Sequence, residues 1–195
     1  MPRATRGSVA LEGVETLKYF SNTYNESLAV SGGARSVLGV WREGDGLAFN
    51  VYPGRFERSM LREGKLSLFA SCSSAEYADF AVFKERPLAS TPLGPGPSRW
   101  YLAVECELLS YRYSFPAKAF CKPTKGFWRP AGPPRRAFFY ILEALVLITR
   151  LHLKDERERI RELLSEALRL GDEEDREVAR RLLEHAEKVG SEGGS

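Results

Sequence analysis

Arg55, Arg58 and Ser59 stand close together just after a strand-like run, Leu47–Tyr52, that ends in the turn pair Pro53-Gly54. Two guanidinium groups and a hydroxyl at the start of a short helix suit a phosphate or a carboxylate. Backbone N–H groups are unpaired there, and the helix dipole favours negative charge. A solvated rim of arginines is the alternative reading of the same residues. A second set of charges, Arg136, Glu143 and Arg150, recurs every seven residues along an apolar run, so it forms one stripe drifting by about 20° per step. Either Glu143 neutralises the two arginines across a core helix, or the stripe faces something ionic. Other chemistries are poorly supplied. The two histidines, His152 and His185, both lie in the C-terminal part, and Cys72, Cys106 and Cys121 are widely spaced with no CxxC pair. A nucleophilic triad or a histidine-rich metal centre would therefore need unusual help, and the cysteines argue against a disulfide framework or a structural zinc site and fit buried thiols in a reducing cytoplasm.

The elements that must position these groups can be read in order. Leu47–Ala70 reads as strand, tight turn, a helix over Glu57–Arg62 ended by Gly64, and a strand from Lys65 with Leu66, Leu68 and Ala70 on one face. Upstream, Met1–Glu15 carries no pattern and is expected to be a loose arm. Thr16–Phe20 and Asn25–Ser31 look like strands, and Gly32-Gly33 offers a hairpin turn. Arg35–Trp41 is a further strand, with Ser36, Leu38 and Val40 on one face and Val37, Gly39 and Trp41 on the other. Short strands at such intervals indicate a barrel or sandwich.

Downstream, Ser74 is a plausible N-cap for a helical start at Ala75–Phe83. Glu85–Ser98 holds four prolines and two glycines and is expected to be irregular and mobile. Trp100–Tyr113 alternates as a long strand. Phe115–Pro134 reads as a second irregular segment in which Lys118, Lys122, Lys125 and Arg129 interleave with Phe120, Phe127 and Trp128. Basic residues beside aromatics can bind single strands. The prolines space them irregularly, however, and no nucleic-acid motif accompanies them, so nucleic acid is a disfavoured partner. From Arg135 the chain is helical: a buried apolar helix through Leu153, then amphipathic helices at Asp155–Leu170 and Asp172–Val189, with Ser191–Ser195 a flexible end. The chain has 195 residues and a formal charge of +3, enough for a proper core and too little for a global electrostatic claim on nucleic acid. No apolar run is long enough to span a bilayer and no signal peptide is visible.

Four pieces in this order carry a resemblance: Tyr24-Asn25-Glu26, the Leu38-Gly39 strand, Tyr52 to Gly64, and Glu143-Ala-Leu with Thr149-Arg150. Together they resemble a mainly archaeal group, the domain of unknown function 447 family, within the FMN-binding split-barrel superfamily related to flavin reductases. The resemblance spans about Tyr24 to His185. It implies an α+β, mainly antiparallel fold: a six-stranded split β-barrel over 16–130 and a C-terminal helical domain over 134–190. It also implies a homodimer with FMN near the subunit interface. Carried over by position, Arg55 and Ser59 would hold the phosphate beside Tyr52, Arg136 would join them, and the Leu38-Gly39 backbone would face the isoalloxazine. This chain departs from its relatives at Phe56, where they tend to carry Thr and which cannot donate to a phosphate, and at Val37, where they often carry Pro. A flavin needs few protein groups for its chemistry, so the missing catalytic constellation decides nothing about an oxidoreductase role. Three functions stay open: an FMN-binding protein, as an oxidoreductase of unknown substrate; a non-catalytic binding module that kept the barrel and lost flavin; and a nucleic-acid-associated protein using 118–136.

Overall fold

Short strands joined by glycine turns fill the first part of the chain, in a computed structural model that describes residues 7–191. The elements are β1 (Val9–Glu12), a 3-10 helix (Gly13–Tyr19), β2 (Asn25–Ser31), β3 (Ala34–Glu43), β4 (Gly46–Val51), α1 (Arg55–Glu63) and β5 (Lys65–Ala70). Then come α2 (Ser74–Ala78), a π-helical turn (Asp79–Phe83), a small hairpin of β6 (Ala89–Thr91) and β7 (Gly94–Gly96), β8 (Leu102–Arg112) and β9 (Ala117–Trp128). Three helices end the chain: α3 (Arg136–Ile148), α4 (Arg157–Leu170) and α5 (Glu173–Ser191). They group into two compact units, one running to Ser71 and resuming over Pro87–Ala131, the other formed by Cys72–Arg86 with the chain from Gly132 onward.

The first unit is the expected barrel. The strand order β9-β4-β3-β2-β5-β8 closes because β8 also pairs with β9, and every pairing is antiparallel. Gly32 and Gly33, at φ +51° and +78°, give the left-handed turn that joins β2 to β3. Alternation then buries Leu38 and Val40 of β3 with Leu47, Phe49 and Val51 of β4 inside the barrel, beside Leu66 and Leu68 of β5. Cys106 and Cys121 are fully buried in the same core, where loss of water pushes the Cys106 thiol well up from its ordinary range.

Of the expected N-terminal arm, residues 1–6 lie outside the described residues, and Val9–Glu12 is a strand that pairs with β9 from Trp128 back to Lys125. Thr16–Phe20 is not a strand. Thr16–Tyr19 belongs to the 3-10 helix, with Phe20 as its C-cap; the Thr16 hydroxyl donates to Gly13 O at 2.6 Å, and Gly13 lies so close to Pro123 O that a side chain there would collide with it. Phe115–Pro134 is not an irregular linker either, because most of it is β9, the strand shared by β1, β4 and β8. Pro123 fits this strand opposite Cys106, beside the register shift between Glu105 and Cys106, where the ladder can forgo a donor. The proline-rich segment holds the β6–β7 hairpin. Gly96 sits against the Phe69 ring, and Thr91 and Gly96 are buried, so part of this segment is regular and packs onto the barrel.

In the second unit, α3, α4 and α5 bury Ile141, Leu145, Ile160, Leu164 and Leu182 at helical spacings. The first apolar helix stops at Ile148, so Arg150 lies in the turn beyond it and the expected stripe is cut short. Ser74 does not cap a helix. Its hydroxyl donates to Asp175 Oδ1 at 2.6 Å, while Tyr77 packs edge-on against Phe138 at 5.5 Å. Residues 192–195 of the expected flexible end lie outside the described residues.

Candidate functional site

Strand β4 delivers the candidate site. Its inward residues anchor the core, its outward Asn50 lies near its end, and Tyr52, just past the strand, leads into Pro53-Gly54 and the first turn of α1. Gly64, at φ +64°, ends that helix in the left-handed conformation and sends the chain into β5. The three arginines of α1 differ in their partners. Arg62 pairs with Glu63 at 3.0 Å, whereas Arg55 and Arg58 are exposed and their side chains have no hydrogen-bond or ion-pair partner among the described residues. Two uncompensated cations thus flank the helix start.

The other expected ligands fall into three groups. Tyr52 is 55% exposed and meets Phe115 edge-on at 5.8 Å. Leu38 is buried in the core, so only its backbone and that of Gly39 face outward ligands. Ser59 differs from expectation. It is buried, and its hydroxyl donates to Ser31 O at 2.8 Å, so its one proton ties α1 to the end of β2 rather than standing free for an anion. Phe56 is buried in the core and therefore takes no space on the outer side of the turn. Arg136 stands in the second unit, exposed, with its guanidinium donating to Tyr140 Oη at 3.3 Å.

Two features were not legible in the sequence. Glu57 folds back on the turn: its Oε2 accepts from Gly54 N at 3.2 Å and its Oε1 accepts from Tyr111 Oη. This carboxylate fills part of the helix start and takes up the Gly54 N–H that a free helix end would offer. Burial, and then the hydrogen bond to Glu57, push the Tyr111 phenol up to about 12. The stabilisation from this link is therefore complete below the ordinary value of 10.0 and is lost as pH rises through about 12. Tyrosinate absorbance should show one phenol titrating late, and Glu57→Ala should shrink that lag. A titration of wild type with no late phenol would remove the link.

The second feature is an aromatic patch on the outer face of β3 and β4. The Tyr24 ring lies over Gly39, so close that a Cβ there would stand 2.5 Å from Tyr24 Cδ1. Tyr24 meets Trp41 edge-on at 5.1 Å, and its hydroxyl accepts from Asn50 Nδ2 at 3.2 Å. Trp41 is held in turn: its Nε1 donates to Glu43 at 3.2 Å, and Lys118 donates to the same carboxylate at 2.8 Å. The Lys118 ammonium, followed by the indole N–H, holds the Glu43 carboxyl below its ordinary range. Among the cations of 118–136, Lys118 is thus paired, Lys125 pairs with Glu105 at 3.2 Å, and Arg129 stacks on Trp100 at 4.3 Å. Among the described residues there is no cluster of three metal-ligating side chains, and no helix is long and apolar enough to cross a membrane.

Comparison with known proteins bears out the fold, and the family resemblance over the C-terminal residues. Residues 135–184 match the C-terminal model of a family described as protein of unknown function (DUF447). No curated protein matches. Among solved structures, an FMN-bound protein of the same family from Methanosarcina mazei superposes with a TM-score of 0.68 at 18% identity, covering 86% of this chain and 98% of that one. The styrene monooxygenase flavin reductase of Pseudomonas putida S12 gives 0.45 at 15% identity, over 58% and 83% of the two chains. An FMN-binding protein from Thermus thermophilus gives 0.42 at 16% identity, over 65% and 80%.

Proposed function

We propose that this protein binds FMN on the outer face of β3 and β4, with the phosphate at the start of α1. The observation that carries this reading is the pair of uncompensated guanidinium groups, Arg55 and Arg58, at the end of the strand whose outward face presents Asn50 and Tyr52. The FMN bound by the M. mazei relative of the same fold supports it. The residues present suit such a ligand. Two arginines match a phosphate dianion in charge and donor geometry, the aromatic side chains match a planar ring, and Gly39 permits close approach to backbone.

Bound FMN would supply hydride or electron transfer, and the protein's part would be to bind, orient and partly desolvate it. Arg55 and Arg58 hold the phosphate, Tyr52 flanks the path between phosphate and ring, and Asn50 offers a donor to the heterocycle. Ser59 acts behind them, fixing α1 to Ser31 O. The substrate class that fits is a small molecule reaching an exposed flavin face, as in an oxidoreductase that reduces or is reduced through the ring. A second copy of the chain is the partner we assign to the exposed apolar side chains of the β8–β9 hairpin, Leu109, Tyr113 and Phe115, beside Tyr52.

The test is the visible spectrum of the purified protein before and after excess FMN and desalting, with sedimentation of the same sample. Retained flavin bands on a dimer are expected. A colourless protein after saturation would sink the flavin reading and favour a binding module for another anion, and a flavin-loaded monomer would sink only the second-copy assignment.

A further inference from the structure

We infer that Tyr24 is a placeholder: its ring occupies the seat over Gly39 that a bound heterocycle takes, and the ligand enters by displacing it. This rests on the flavin reading above and adds the residue that sets access to the ring seat.

The Gly39 backbone is an ordinary extended strand, so no left-handed conformation demands glycine there. What demands it is space, since a Cβ would stand 2.5 Å and 3.1 Å from the Tyr24 Cδ1 and Cε1 atoms. The missing side chain makes a flat slot against the sheet, walled by the Trp41 ring and reached by Asn50 Nδ2. A tyrosine ring fills the slot, yet Tyr24 is 63% exposed. Among the described residues its ring is held by one neutral hydrogen bond and one edge-on ring contact, each weak in exchange with water. The neighbouring backbone is much better fixed. The Asn25 side chain donates to Thr23 O at 2.8 Å and to Val40 O at 3.0 Å, and Asn25 begins the β2 pairing with Val40. Rotation of the Tyr24 side chain alone would therefore open the slot, with no change in the barrel.

The exchange conserves contacts. When the phenol leaves, Asn50 Nδ2 loses its acceptor and offers its N–H to a carbonyl or ring nitrogen of the incoming heterocycle. The Trp41 contact, fixed through Glu43, passes from one ring to the other. Asn50 and Tyr52, two residues apart on one face, carry the ligand about 7 Å along β4 toward Arg55, so seat and phosphate cradle lie on one track.

The experiment compares riboflavin, which has the ring and no phosphate, with FMN on wild type, Tyr24→Ala and Gly39→Ala, read by quenching of flavin fluorescence. Removing the placeholder should tighten both ligands by roughly five- to tenfold, the worth of one neutral hydrogen bond and a ring contact. Gly39→Ala, checked for an unchanged melting temperature, should weaken both by tenfold or more; if it fails to fold, Tyr24→Ala decides. Weaker or unchanged binding in Tyr24→Ala overturns the inference, and weaker binding would make Tyr24 a stacking partner that stays in place. If Tyr24→Ala and Gly39→Ala are neutral while wild type holds FMN, this inference fails and the flavin reading survives. If wild type holds neither ligand, both fail.

Discussion

Arg55→Ala is expected to weaken FMN binding by roughly ten- to a hundredfold, the range for one charge-assisted hydrogen bond to a phosphate. Adding Arg58→Ala should deepen the loss. Both guanidinium groups are exposed, so salt screens them and the lower part of the range applies at high ionic strength. The effect should be confined to the phosphate. Riboflavin affinity should stay as in wild type, because the ring seat on β3 is separate from the turn. Arg62→Ala is the control, since that guanidinium is already paired with Glu63 and should leave FMN binding unchanged. Fluorescence titrations at two salt concentrations measure all of this. An Arg55→Ala protein with the wild-type affinity would place the phosphate away from the start of α1.

Phe49→Ala should cost about 3–5 kcal/mol of stability. Phe49 has 0% exposure and sits midway along β4, opposite Val40 on one side and Ala119 on the other. The cavity cannot collapse easily, because both neighbouring strands are pinned by their own ladders. Against a typical stability of about 5–15 kcal/mol the loss is large. Urea unfolding should show a lower midpoint at an unchanged slope. Because β4 also carries Asn50 and leads directly into Tyr52, saturating FMN should recover part of the loss by mass action. A cost under about 1 kcal/mol, well below what a buried ring removal brings, would mean that β4 is not the core strand described above.

Local signals carried far in this sequence, and distant partners did not. Gly32-Gly33, the alternation of Arg35–Trp41 and the run from Leu47 to Ala70 all depend on near neighbours, and each forms the element its pattern predicts. The resemblance read from four short pieces likewise points to the barrel that the chain forms. β9 hid because its alternation is broken by Pro123 and Gly126, and because its lysines look like a basic surface until Glu43 and Glu105 are brought opposite two of them. At the site, Arg55 and Arg58 were legible as charges in a turn. The engagement of Ser59 was not, since Ser31 lies 28 residues away. Nor was the Glu57–Tyr111 link, whose partners are 54 apart. The patch over Gly39 needed the fold, because nothing local tells that Tyr24 reaches Asn50 across 26 residues.

The helical unit is drawn from two stretches of chain, and that has a consequence during synthesis. Ser74 and its acceptor Asp175 are 101 residues apart, so at about 5–20 residues per second the ribosome separates them by roughly 5–20 s. Tyr77 and Phe80, both buried in the finished protein, emerge before α3, α4 and α5 exist. Over that interval they are a nascent apolar segment of the kind trigger-type chaperones capture. A C-terminal fragment starting near Gly132 would lack this segment altogether and expose the surface that it covers, so the unit is not a piece that could be shuffled by a single cut in the gene.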